Sequence, residues 1–213
     1  MMTSQLGDIY RYNNHSYYYL RSTGDGLFAP EKYGFFPKSC VSACWRGYFC
    51  EYEIADNSLK LQKVCIHDGN NYYPPINGIK YSKGQNFFGH HLYDHIDLTL
   101  NFTGKILLAD DEVSRFYYEL ELENTPYSFE TLLSFEFENG KLTKIVNHSE
   151  TAARLRVLYE ESRAENGLLL DDESLIDQLP DGVRETVWWD RPRKKRELIR
   201  AQNKKRFEEI PLR

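Results

Sequence analysis

Apolar and polar residues alternate with a period of two through most of the first 147 positions, the pattern of half-buried strands. Asp8–Tyr12 and His15–Arg21 predict a hairpin turning at Asn13-Asn14, since asparagine tolerates the positive φ of tight turns. Cys44–Ile54 predicts an outgoing strand, Ala55-Asp56-Asn57 its turn, and Ser58–Ile66 the return, with Leu59, Leu61 and Val64 apolar. On the outgoing strand Arg46, Tyr48, Cys50, Tyr52 and Ile54 share the face expected to meet the core. Trp45, Gly47, Phe49, Glu51 and Glu53 share the other. Ile96–Phe102 and Lys105–Ala109 form a further strand pair through Thr103-Gly104, and the second half of Asp111–Glu123 alternates as a strand. Thr131–Glu138 and Lys141–Asn147, closed by Asn139-Gly140, form the clearest hairpin.

Two stretches interrupt this pattern. Residues 22–42, rich in Gly and Pro, read as a long ordered loop packing Phe28, Tyr33, Phe35 and Phe36 against the body, and residues 67–93 as another irregular stretch with Gly and Pro. After His148 the spacing becomes helical. Ser149 can cap a helix over Thr151–Glu165 that carries Ala152, Leu155, Leu158 and Tyr159 on one face. Asp171–Leu179 predicts a short helix and Val187-Trp188-Trp189 an apolar anchor. Pro192 opens a last helix that runs to Glu209. The expected fold class is α+β: a curved antiparallel β-sheet body over 1–147, followed by a helical C-terminal segment over 148–213.

Charge divides the chain at the same end. The net charge of −5 separates into +7 over Arg191–Arg213 and −12 over residues 1–190. The basic run, with Arg193, Lys194, Lys195, Arg196 and Arg200 at its centre, reads as a solvated helix face docked on the acidic body, or as a segment reserved for an anionic partner. Aromatic residues make up 15% of the chain, enough to build a core and to exclude disorder along its whole length. No apolar run reaches the roughly 20 residues of a membrane span, and Met1–Asp8 lacks a signal-peptide core, so a cytoplasmic protein with no membrane partner is expected.

Candidate chemistry is sparse. Cys40, Cys44, Cys50 and Cys65 lack paired zinc-knuckle spacing. On one strand Cys44 and Cys50 would stand about 20 Å apart, at roughly 3.3 Å per residue, and read as buried thiols. His90, His91 and His95 could hold a metal through the i,i+4 pair only on a helical turn, and otherwise read as a hydrogen-bonded loop. The trio Asp110-Asp111-Glu112 could hold magnesium but reads as a solvated turn. Glu51 or Glu53 with Glu119 or Glu121 makes a conceivable acid–base pair. Nucleophile elbow, phosphate loop, zinc-protease motif and dinucleotide fingerprint are all missing, so neither metal nor cofactor is expected. Trp45, Arg46 and Tyr48 form the most distinctive group. Arg46 either bridges to a strand acid such as Glu119 or Glu121, or recognises an anion in a pocket walled by Trp45, Tyr48 and the aromatic loop of residues 22–42.

The run Ala43-Cys44-Trp45-Arg46-Gly47-Tyr48, followed by Glu53-Ile54-Ala55-Asp56-Asn57-Ser58-Leu59, resembles a group of uncharacterised bacterial proteins. Their acidic strand would match Tyr118–Leu122 and their F-x-x-G-x-L hairpin Phe137–Leu142. The resemblance covers roughly residues 9–147 and implies a shared β-rich body with no assigned activity. Three function classes stand. The first is an interaction protein that binds another macromolecule, such as an immunity, antitoxin or defence-accessory protein with a protein partner, recognised through Trp45, Arg46 and Tyr48. The second is a nucleic-acid or nucleotide binder using the basic helix around Arg193–Arg200. The third is an enzyme centred on Arg46 and His90, His91 and His95.

Overall fold

The computed structural model describes residues 5–82, 86–87, 90–113 and 128–166. The first hairpin forms as its sequence predicts: β1 (Ile9–Tyr12) and β2 (His15–Asp25) pair antiparallel around Asn13 and Asn14, at φ 52° and 61°. β3 (Tyr48–Ala55) and β4 (Ser58–Ile66) pair around Asp56 and Asn57, at φ 50° and 58°. β5 (Asn86–Phe87) and β6 (His90–Tyr93) form a small hairpin, and β7 (Leu98–Thr99) is a two-residue strand. β8 (Thr103–Glu112), β9 (Phe129–Glu138) and β10 (Lys141–Asn147) complete the strands among the described residues, and an α-helix, α1 (Ser149–Asn166), follows.

The expected α+β class is overturned. β10-β9-β8-β2-β1-β3-β4 run side by side, and β4 then meets β10 again, so these seven strands close into a barrel rather than an open curved sheet. Closure occurs where Lys141 faces Ser58, with Leu142 N–H donating to Asn57 O at 3.0 Å. The same edge of β4 then serves β7 at Lys60 and Leu61 and β6 at Val64–Ile66. Nor is the sheet wholly antiparallel, because β1 lies parallel to β3, with Ile9 beside Glu51. Register shifts at Glu51/Tyr52, Tyr19/Arg21 and Leu142/Lys144 bend the strands towards closure. Periodicity along one strand records none of this, since closure is a contact between positions some 80 residues apart.

Local boundaries also move. The strand expected from Cys44 starts at Tyr48, because residues 43–47 form turns and Gly47 sits at φ 74°. Thr103-Gly104 does not turn a hairpin; both residues belong to β8, which pairs with β2 and β9. Within 22–42, β2 continues to Asp25 and a 3-10 helix occupies Pro30–Tyr33.

Tyr52, Ile54, Leu59, Leu61, Ile106, Leu108, Phe135 and Phe137 fill the barrel interior, joined by Tyr10 and Phe102. Tyr10 stacks between Tyr52 (ring centroids 4.7 Å apart) and Tyr19 (5.7 Å), each pair worth about 0.5–1.5 kcal/mol beyond its burial. The run Ile106-Leu107-Leu108-Ala109 is apolar at every position because both its faces are buried: Leu107 and Ala109 pack outward with Phe129, Leu132 and Ala152 of α1. Asn147 Oδ1 accepts the Ser149 N–H at 2.9 Å and so caps the helix. Ser149 Oγ instead accepts from Leu132 N at 3.0 Å and ties the helix to β9. Arg156 donates to Phe129 O at 2.5 Å and pairs with Glu130. The helices expected at 171–179 and 192–209, the Val187–Trp189 anchor and most of the 111–123 strand lie outside the described residues. Among the described residues no helix is long and apolar enough to cross a membrane.

Candidate functional site

β1 and β3 run parallel, so Asp8, just before β1, lies at the end of the barrel where β3 begins. Residues 42–47 turn into β3 there. Leu6 N–H donates to Ala43 O at 2.6 Å, and Gln5 bridges Ser42 O and Trp45 N–H at 2.8 and 3.0 Å. Asp8 is 8% exposed and accepts two hydrogen bonds from Arg46, at 2.7 and 3.1 Å, and one from Cys50 N–H at 2.8 Å. The Arg46 guanidinium lies 4.7 Å from the Tyr48 ring centroid. Burial alone would ease its proton off, but the Asp8 carboxylate outweighs burial and raises its pKa further. Arg46 is therefore a structural clamp. Its partner is Asp8, and the expected partners Glu119 and Glu121 lie outside the described residues.

Gly47 makes the turn possible. A Cβ there would stand 2.6 Å from the Lys38 backbone. Lys38 N–H donates to His67 O at 2.9 Å, and His67 N–H donates to Gly47 O at 2.8 Å. Those bonds stitch the 34–39 segment, the 44–47 turn and the 67–73 segment into one rim.

A second carboxylate holds the other half of the rim. Asp68, 1% exposed, accepts the backbone N–H of Phe36, of Asn70 at 2.9 Å and of Tyr72 at 3.0 Å. Burial pushes its carboxyl up, yet these N–H groups prevail and it ends below the usual carboxylate range. The consequence is outward: Phe36 is 62% exposed, Tyr72 58% and Trp45 69%. Phe28 and Phe35 are buried and Tyr33 packs on the core, but Phe36, expected to pack with them, stands in solvent.

The other expected groups are arranged differently. Trp45 and Arg46 are exposed on the turn, whereas Tyr48 is half-buried at the start of β3. Cys44 leaves the Cys50 strand altogether and packs with Phe49 and Cys65, while Cys50 joins the barrel interior. His90 and His91 lie on strand β6 and His95 in the exposed loop beyond it, so the helical turn needed to converge His91 and His95 does not exist. His91 sits between Tyr73 and Tyr81, with ring centroids 3.9 and 4.9 Å away. Cys40 Sγ is 3.8 and 3.9 Å from the two ring nitrogens of His90. Being equidistant, it lies off the in-plane lone-pair direction of either, which is not the geometry for passing a thiol proton. Asp110 pairs with His15 and Asp111 accepts from Thr131, which separates the acidic trio. Glu51 pairs with Arg11 and Lys63, and Glu53 accepts from Gln62. No group of three or more His, Cys, Asp or Glu among the described residues is placed to hold a metal ion. Arg193, Lys194, Lys195, Arg196 and Arg200 lie outside the described residues.

Sequence reasoning missed Asp8, Asp68, Tyr72 and the exposure of Phe36. Asp68-Gly69-Asn70-Asn71 carries a turn signal that points to the Asp68 side chain. Nothing local marks Asp8. No protein-family model, curated protein or solved structure matches the chain.

Proposed function

We propose that this protein is a macromolecule-binding interaction module whose contact surface is the rim carrying Phe36, Trp45 and Tyr72. One observation supports the reading above all: three large aromatic side chains, 58–69% exposed, stand on loops fixed by two buried carboxylates. Exposed aromatics on a pre-organised backbone lose little entropy on binding and are the residues that dominate interface energetics. The interior supports the same choice, because a barrel of this strand number is filled by side chains, here by Tyr10, Tyr52, Phe102, Phe135 and Phe137. Trp45, Arg46 and Tyr48 then have distinct roles: Trp45 makes contact, while Arg46 and Tyr48 hold the turn that presents it. The reading sets the protein in the cytoplasm, where its four free cysteines persist as thiols.

Photo-crosslinking amino acids at positions 36 and 72 of the full chain, expressed in its own host, test this. A discrete adduct at both rim positions, missing from a control on the outer barrel face at position 63, is the expected result. Adducts of equal yield at all three positions, or at none, would remove the proposal.

A further inference from the structure

We infer that the occupant of the aromatic rim is a single-stranded nucleic acid; this rests on the reading of the rim as the contact surface. Cations are interleaved with the aromatics. Phe36 and Lys38 flank Gly69, whose added Cβ would stand 3.3 Å from Phe36 Cδ1 and 3.4 Å from Lys38 Cβ. Tyr72 lies against Gly34, two residues beyond Lys32, with an added Cβ there 3.6 Å from its ring. Residues 26–47 and 67–82 hold Lys32, Lys38, Arg46 and Lys80 against Glu31 and Asp68, and because the Arg46 charge is paired with Asp8, the three lysines are the cations left for a ligand. Asp68 is buried and spends its charge on three backbone N–H groups, which leaves Glu31 as the exposed acid of these loops.

The rest of the body is the reverse. Outside those loops the described residues carry 10 bases against 17 acids, so a polyanion is repelled from most of the described body and tolerated at the rim. Aromatic faces beside cations are what an unpaired strand needs, with bases stacking on rings and phosphates meeting Lys. A duplex hides its base faces, and the rim's 3-10 helix, the four residues Pro30–Tyr33, is too short to read a groove. An acidic peptide would satisfy the cations but leave the flat ring faces without stacking partners.

Fluorescein-labelled dT15 and rU15, titrated with the full chain and followed by anisotropy at low and moderate salt, test the inference. Both are expected to bind, with a salt dependence corresponding to about two or three released counterions. Phe36→Ala, Trp45→Ala and Tyr72→Ala combined should weaken binding at least about tenfold, Trp45→Phe much less, and Lys38→Glu should flatten the salt slope. Three results would overturn it. One is no binding at low salt; another is undiminished binding by the triple variant, which would assign it to Arg191–Arg213. The third is competition by poly-glutamate as effective as by unlabelled dT15. If oligonucleotides fail while positions 36 and 72 still crosslink a discrete protein, the nucleic-acid inference falls and the rim reading stands. If neither succeeds, both fall.

Discussion

Asp8 and Arg46, 38 residues apart in sequence, meet through two hydrogen bonds of 2.7 and 3.1 Å, and the same carboxylate also accepts the buried Cys50 N–H. The pair joins the segment before β1 to the turn before β3, which is where the two parallel strands start. Replacing Asp8 by Ala leaves the Cys50 N–H and the guanidinium without their acceptor. That should cost about 1–3 kcal/mol, read as a fall in the urea midpoint. Asp8→Asn, which keeps one carbonyl acceptor, should cost less; equal losses for both would mean that the carboxylate charge, not the Cys50 bond, dominates.

Gly47→Ala should destabilise the same turn by a different route. The residue sits at φ 74°, and a methyl group would stand 2.6 Å from three Lys38 backbone atoms. Strain of about 1–3 kcal/mol is expected, accompanied by faster amide exchange at Lys38 and His67, whose bonds stitch the rim. A variant as stable and as protected as the parent would show that the turn relaxes freely.

Tyr10 offers the opposite sign. Its ring is fully buried and its hydroxyl has no hydrogen-bond partner among the described residues, with burial first among the causes that raise its pKa. Removing an unsatisfied hydroxyl removes a desolvation penalty, so Tyr10→Phe should be neutral or stabilise by up to about 1 kcal/mol. Tyr10→Ala, which also empties the space between Tyr19 and Tyr52, should cost about 3–5 kcal/mol. Thermal melts of the two variants check both values; a clear loss in Tyr10→Phe would reveal a partner for the hydroxyl.

The four thiols should separate by exposure. Cys40 is exposed, whereas Cys44, Cys50 and Cys65 are buried. Burial raises all four pKa values, that of Cys65 to about 12. A thiolate-selective reagent should label one cysteine of the native protein slowly at pH 7, faster as pH rises, and all four in denaturant. Mass spectrometry that finds Cys50 or Cys65 modified as fast as Cys40 would contradict the burial.

Acid should destabilise the fold in two stages. Burial lowers the pKa of His148, with Lys144 and Lys105 adding, and burial with His67 lowers that of His91. Below the unfolded value of about 6.5 the unfolded chain takes up protons that the native state refuses, so stability present above that pH is lost as pH falls. Asp68, whose carboxyl is held below its usual value, adds a second loss below about pH 4. Urea midpoints from pH 8 to 3 should show both, and His148→Gln should flatten the first. A flat wild-type profile between pH 7.5 and 5.5 would refute the histidine contribution.

Local chemistry was legible in the sequence where one residue's dihedral or one strand's alternation decides the outcome. Asn13-Asn14, Asp56-Asn57 and Asn139-Gly140 turn their hairpins because these residues accept positive φ, and Tyr48 to Ile54 faces inward on every second position. Only tertiary structure decided that the sheet closes, that β1 joins β3 in parallel, that Arg46 clamps Asp8, and that Phe36 faces solvent while Phe35 is buried. Each of these depends on which distant backbone or carboxylate comes within about 3 Å, a distance set by register and bulges summed around seven strands. An alternating pattern states which face a residue takes, not what that face will meet.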